Sequence, residues 1–294
     1  MPLVDAGDVR LYVEEQGDGE PLLLIMGVGA QMTLWPAGFV ELLVERGFRV
    51  IRFDNRDVGL SEQLDHIPPP SLTQMVRARY TPWRPASVAY DLHDMARDAV
   101  GVLDALGLPD AHVVGVSMGG MIAHLCAIEH ASRVRTLTSI MSAPGDALST
   151  TGDPRVMATL LSLRPTNAEE AGQARVKLAH AFNPGKLPLD EALIASLGAA
   201  DYRRNSNPAG FARQFGAIMA TAPRRAGLRT VRCPTHVIHG THDPMIPVRG
   251  GRQTAQLVPG ATLQLIDRMG HSLHPATWDE IVDGIVGCTQ RWSD

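Results

Sequence analysis

Ala111-His112-Val113-Val114-Gly115-Val116-Ser117-Met118-Gly119 is the stretch that decides the fold. Its first part, Ala111–Val116, is a compact apolar run of strand length, and a helix of small residues follows at once, from Met118 to about His130. Apolar runs without alternation belong to strands covered on both faces, as in a parallel sheet between helices. Between strand and helix stands Gly115-Val116-Ser117-Met118-Gly119, the pattern G-x-S-x-G. A strand that turns sharply into a helix leaves no room for side chains beside the turn, hence the glycines Gly115 and Gly119. The turn lifts the hydroxyl above the sheet edge and aims a helix N-terminus at charge developing there. Ser117 is therefore the candidate nucleophile. The string alone is a weak signal; the strand before it and the helix after it give it weight.

Outward from this turn, strands and helices alternate. Val9–Glu14 alternates in polarity, Pro21–Met26 is continuously apolar, and Gln16-Gly17-Asp18-Gly19 between them is turn chemistry. Leu34–Arg46 has helical spacing and stops at Gly47; Phe48–Phe53 is a further strand. Asp91–Leu106 predicts a long amphipathic helix with Leu92, Met95, Ala99, Val102, Leu103 and Leu106 on one stripe. Val134–Ile140, Thr235–His239 and Thr262–Ile266 repeat the strand signature, and helices follow the last two. Such alternation implies an α/β fold with a mostly parallel central sheet, right-handed crossovers and helices on both faces. From Ser142 to Arg229 no buried strand is legible, only helical patterns cut by prolines. Residues 1–141 and 230–294 thus read as one core, and 142–229 as a helical lid inserted between late strands.

A serine hydroxyl is unreactive without a base. After a turn of this type the acid and the histidine are expected in that chain order, each in a loop after a late strand. Thr235–His239 is followed by Gly240-Thr241-His242-Asp243-Pro244, and Thr262–Ile266 by Met269-Gly270-His271-Ser272. Asp243 and His271 are the candidate acid and base, past the carboxyl ends of their strands, where open parallel sheets place their sites. A lone aspartate in a turn is more often a turn former, so order and strand context carry this choice. Of the eleven histidines, His112, His236 and His239 border strands and read as packing residues. His124 and His130 sit on the helix after Ser117, His242 points away from its neighbour, and His274 reads as a supporting residue. An oxyanion needs two backbone donors. Met118, directly after the serine, supplies one; the Val28 amide in Met26-Gly27-Val28-Gly29 is the choice for the other, with Gly27 and Gly29 admitting a close backbone approach.

Composition narrows the classes. A chain of 294 residues with 45% hydrophobic and 20% charged residues can bury a sizeable core. A net charge of −4 offers no basic field for nucleic acid. The three cysteines, Cys126, Cys233 and Cys288, lack the spacing of a zinc site or a disulfide framework. Cys126, in an apolar helical run, reads as packing. The start, Met1 to Asp8, has neither basic n-region nor apolar h-region, and no apolar run reaches the ~20 residues of a membrane span. A cytoplasmic protein is the expectation, with no metal or organic cofactor implied.

With these residues in place, the chain resembles the α/β-hydrolase superfamily over nearly its whole length. Asp54-Asn55-Arg56-Asp57-Val58-Gly59-Leu60-Ser61 looks like the superfamily's D-x-R-G-x-G-x-S segment, with Asp57 in place of the usual glycine. That departure, Met26-Gly27 in place of His-Gly, and Trp35-Pro36…Phe39 are similar to aclacinomycin methylesterases and actinobacterial carboxylesterases or lipases. The resemblance implies a serine carboxylic-ester hydrolase working through an acyl-enzyme on an apolar small-molecule ester. Epoxide hydrolases and haloalkane dehalogenases, with aspartate as nucleophile, are excluded by Ser117. Two alternatives remain: a cofactor-free haloperoxidase or perhydrolase-like enzyme, and a non-catalytic small-molecule binding protein on the same fold. The natural ester and the oligomeric state are not readable. In the insertion, Leu160, Leu161, Leu163, Phe182, Leu193, Leu197, Phe211, Phe215, Ile218 and Met219 recur at roughly helical spacings. Most are expected to pack on the core or on each other, and a minority to line a pocket.

Overall fold

Alternate residues of the buried strands point to opposite faces, and this parity organises the core. In the computed structural model, which describes residues 3–71, 73–75 and 88–292, Glu20–Ile25 forms β3. Its Leu22 and Leu24 enter one apolar cluster, while Leu23 and Ile25 enter another on the opposite face. The strand β5, Ala111–Val116, divides likewise, with Val114 and Val116 on one side and Val113 on the other. Each face is covered by helices. On one side α1 (Ala37–Glu45) brings Phe39, Val40 and Leu43, and α9 (Trp278–Gln290) brings Ile281, Val282 and Ile285. On the other lie α2 (Leu92–Ala105) and α3 (Met118–Glu129). The Asp91 side chain accepts from the His93 and Asp94 amides, a capping box that fixes where α2 begins.

Eight strands form one sheet in the order β1-β2-β4-β3-β5-β6-β7-β8. The others are β1 (Leu3–Asp5), β2 (Arg10–Gln16), β4 (Phe48–Phe53), β6 (Val134–Ile140), β7 (Thr235–Gly240) and β8 (Thr262–Ile266). Pairing is parallel from β4 through to β8 and antiparallel where β2 meets β4 and β1. The short strand β1 has no signature in the sequence: three residues at a sheet edge, one of them buried, carry no period. β4 and β5 lie on opposite sides of β3. The crossovers therefore diverge there, and such a switch point opens a crevice beyond the carboxyl ends of the two adjoining strands. Gly27 follows β3 and Ser117 follows β5, so both stand at that crevice.

Between β6 and β7 the described chain is helical. The longer helices are α4 (Pro154–Ser162), α5 (Ala168–Ala181), α6 (Glu191–Arg204) and α7 (Pro208–Ala220). Side-chain caps from Asp153, Asn167, Asp190 and Asn207 start them, while α8 (Val248–Leu257) follows β7 in the core. α5 and α6 approach closely through small residues: a Cβ on Gly172 would stand 2.6 Å from the Ala195 carbonyl oxygen. In this segment Leu160, Phe182 and Ile218 pack against the core cluster, and Phe211 and Phe215 stack on each other. Of the ten large apolar residues named above, Leu193 and Leu197 are exposed and the rest only half-buried. The buried face of α7 is instead Gly210, Arg213, Gln214 and Ala217, at spacings i, i+3, i+4 and i+7.

Candidate active site

Ser117 sits between β5 and α3 with φ 56° and ψ −118°, a conformation that side-chain-bearing residues rarely adopt and that costs of order 1–3 kcal/mol. The surrounding backbone leaves no slack. A Cβ on Gly115 would lie 2.1 Å from the Gly119 carbonyl oxygen, and one on Gly119 would lie 2.0 Å from that of Ile25. The Ser117 amide donates to Ile140 at 3.0 Å, and the Ser142 hydroxyl donates to the Ser117 carbonyl at 2.8 Å. Held from the end of β6, the serine has its hydroxyl within reach of one partner.

That partner is His271. Its Nε2 is 3.1 Å from Ser117 Oγ, and its Nδ1 is 2.8 Å from Asp243 Oδ2. The other Asp243 oxygen accepts the Met245 and Ile246 amides, both at 2.9 Å. Burial pushes the Asp243 carboxyl up, but the His271 charge and hydrogen bonds from His239 and His271 outweigh it, holding it down at about 2. An ionised carboxylate can only accept, so Nδ1 carries the imidazole proton and Nε2 offers its lone pair to the serine hydroxyl. The His271 backbone is held by the Phe182 carbonyl, which accepts its amide at 2.9 Å, and its ring packs against the edge-on Phe182 ring 5.2 Å away. This linked arrangement can take a proton from a serine hydroxyl as it attacks a carbonyl and return it to a leaving group.

Of the two expected donors, Met118 directly follows the serine, and Val28 follows Gly27, which lies against it. Met118 is the first residue of α3, where an amide has no carbonyl within its own helix to bond. Gly27 lies against the serine: a Cβ there would stand 3.3 Å from Ser117 Cβ. The Gly27 carbonyl accepts from Ala30 at 3.3 Å, closing a tight turn in which Gly29 has φ 66°. Because a trans peptide sets N–H opposite to C=O, the Val28 amide points away from the inside of that turn.

Six other histidines are engaged elsewhere. His112 bonds Thr136 and Glu20, His236 bonds Thr262 and Gln264, and His124 bonds Ser139. His274 contacts the Pro188 carbonyl at 2.6 Å, and His242 contacts its neighbour Thr241. His239 is more than a sheet-end residue: its Nε2 donates to the Ile246 carbonyl at 2.8 Å and stands 3.5 Å from Asp243 Oδ2. Cys126 is buried in α3, and burial pushes its thiol up to about 12, in keeping with packing. Among the described residues no group of three or more His, Cys, Asp or Glu could hold a metal ion.

A cleft of about 260 Å³ runs between core loops and the helical segment and meets the loop after β3 at Gly29. It is lined also by Leu160, Leu163, Phe211 and polar groups such as Gln31 and Asn205, and by neither Ser117 nor His271. The segment is fastened to the core by buried polar groups that apolar periodicity cannot reveal. Arg213 grips Asp57 with two hydrogen bonds of 2.9 and 2.7 Å, and the Tyr90 hydroxyl donates to the same carboxylate at 2.7 Å. Arg204 pairs with Asp54 at 2.6 Å and donates to Gln31 at 2.6 Å. Asp57, the departure from the usual glycine, keeps the glycine-like φ of 70°. Its carboxylate gives Arg213 the partner a glycine could not.

A family model described as the alpha/beta hydrolase fold matches residues 20–275. The chain belongs to the α/β hydrolase family. Among similar hydrolases of this family is rhodomycin D methylesterase of Streptomyces peucetius, 29% identical over 98% of this chain and 97% of that protein. Another is 2-hydroxymuconate semialdehyde hydrolase of Pseudomonas sp. strain CF600, 31% identical over 90% of this chain and 85% of that protein. The enol-lactonase from Burkholderia xenovorans LB400 shares the α/β hydrolase fold, with a TM-score of 0.73, 23% identity, and coverage of 98% of this chain and 100% of that one. Among the described residues of this α/β hydrolase, no helix is long and apolar enough to cross a membrane.

Proposed function

We propose that this hydrolase cleaves carboxylic esters of small apolar molecules, with Ser117 as nucleophile, His271 as general base and Asp243 as the acid that orients the base. The observation that carries this is the continuous hydrogen-bonded chain from Ser117 Oγ through His271 to the ionised Asp243. His271 Nε2 takes the hydroxyl proton as Ser117 Oγ bonds to the carbonyl carbon. The tetrahedral oxyanion is stabilised by the Met118 and Val28 amides and by the N-terminus of α3. On collapse the alcohol leaves with that proton; water, deprotonated by His271, then releases the acid and frees the serine.

Residues 142–229 act in this reading as a lid over the core formed by 1–141 and 230–294. The half-buried apolar residues Leu160, Leu163 and Phe211 on the cleft suit a substrate with a substantial hydrophobic part. Similarity to a methylesterase along nearly the whole chain supports an ester as the substrate.

The test is a fluorophosphonate probe together with a panel of esters of graded acyl and alcohol size. Labelling at Ser117 is expected, and Ser117→Ala should lower turnover by at least ~10³-fold while remaining folded. A folded Ser117→Ala protein that keeps more than about a tenth of the activity removes Ser117 from the role. Silence toward both probe and panel, with tight binding of a small molecule, favours a binding protein.

A further inference from the structure

We infer that Gln214, in the helix α7 outside the core, is the positioning residue for the oxyanion loop Gly27–Gly29. The inference rests on the serine-esterase reading above. Gln214 is fully buried, and both ends of its amide are engaged: Oε1 accepts the Gly29 amide at 2.7 Å, and Nε2 donates to the Arg56 carbonyl at 2.7 Å. Neither end can turn without leaving a buried polar group unpaired. Its neighbour Arg213 is clamped on Asp57, so the helix cannot slide to relax the contact.

The bond matters because of what the loop must do. Gly27 lies against Ser117, and its carbonyl must stay turned toward Ala30 for the Val28 amide to face outward. That turn bond is long, at 3.3 Å. Gly29, the residue after it, accepts either sign of φ at little cost, so the Val28–Gly29 peptide has little intrinsic reason to stay as it is. Gln214 supplies the reason, by holding the N–H of that peptide. Phe211, one turn earlier on the same helix, closes the other side: a Cβ on Gly29 would stand 2.4 Å from its ring. Glutamine suits the position, since it offers a neutral acceptor and a donor together, where a carboxylate would bring an uncompensated buried charge. The helical segment is thus part of the frame that orients the transition-state donor.

The experiment compares wild type with Gln214→Met, which preserves volume and removes both hydrogen bonds. Active sites are counted by fluorophosphonate titration, and kcat and KM are measured on p-nitrophenyl esters. A wild type that neither labels nor turns over fails the esterase reading itself. With an active wild type, kcat per titrated site should fall ~10- to 100-fold, KM should move less than about threefold, and phosphonylation should slow in step with kcat. A merely structural residue would lower the melting temperature and leave kcat per site intact. Folded Gln214→Met with kcat within about twofold of wild type, or with only KM raised, overturns the inference. Should Gln214→Met fail to fold, Gln214→Asn, one methylene too short to reach Gly29, is read by the same criteria.

Discussion

A carboxylate as buried as Asp243 destabilises a fold unless its charge is compensated, and its surroundings do so thoroughly: two backbone amides on one oxygen, His271 and His239 on the other. With its pKa held down at about 2, from an ordinary 3.8, the unfolded chain takes up this proton before the folded one as pH falls. The contribution is therefore whole above about pH 4 and is lost as pH drops toward 2; the shift corresponds to about 2 kcal/mol. Urea midpoints measured from pH 5 to 2.5 should fall less steeply for Asp243→Asn than for wild type, and parallel curves would deny the depressed pKa. The same residue should dominate activity. Asp267, the carboxylate nearest His271 in sequence, is exposed and accepts from the Thr241 hydroxyl at 3.1 Å. Asp243→Asn should lower kcat/KM by at least ~10³-fold and Asp267→Asn by less than threefold. Equal losses would leave the acid unassigned.

At the scale of one element, α7 combines two kinds of contact, and only one was legible beforehand. Phe211 and Phe215 stack at 6.2 Å on a half-buried face, as their four-residue spacing foretold. The buried face carries Arg213 and Gln214, and a hydrophobic pattern cannot announce a buried ion pair. The available signal was the pair Gly210 and Ala217, small residues one turn to either side that let a helix face press close to backbone. Asp57 and Arg213 are almost wholly shielded from water, so removing either takes from the other its two-pronged partner. Arg213 then keeps only Asp65 and the Ile67 carbonyl, and Asp57 only the Tyr90 hydroxyl and the Leu64 amide. Asp57→Gly, which restores the residue common at that position in the superfamily, should cost about 3–5 kcal/mol, and Arg213→Met a similar amount. The double variant should cost clearly less than the sum, with a coupling of at least about 2 kcal/mol in urea unfolding. Additive losses would mean that the pair contributes nothing as a pair.

Across the whole molecule, the sheet core was readable because its strands are covered on both faces. Phe48–Phe53, Ala111–Val116 and Val134–Ile140 are continuous enough that sequence and structure agree on their ends. The edge at β1 was not, since β1 and the antiparallel pairing of β2 depend on contacts made only after folding. The residues now adjoining Ser117 were readable because each follows a strand, whereas the fastening of residues 142–229 depends on buried polar pairs. That fastening bears on selectivity. A segment pinned at α7 presents a fixed wall to the cleft, and Phe211 reaches that wall from a helix whose other side is locked to the core. Truncating it should enlarge the cleft without releasing the helix. Phe211→Ala is therefore expected to shift relative kcat/KM across esters of graded size by at least ~10-fold, since one large apolar contact is worth about 1–3 kcal/mol of discrimination. Reaction with the smallest acetate esters, too short to reach the ring, should change less than threefold. Phe215→Ala, on the stacked partner, should act in the same direction but more weakly, through the freedom it gives Phe211. If folded variants at both positions leave the size profile unchanged, residues 142–229 serve as scaffold and the wall of the cleft does not choose the ester.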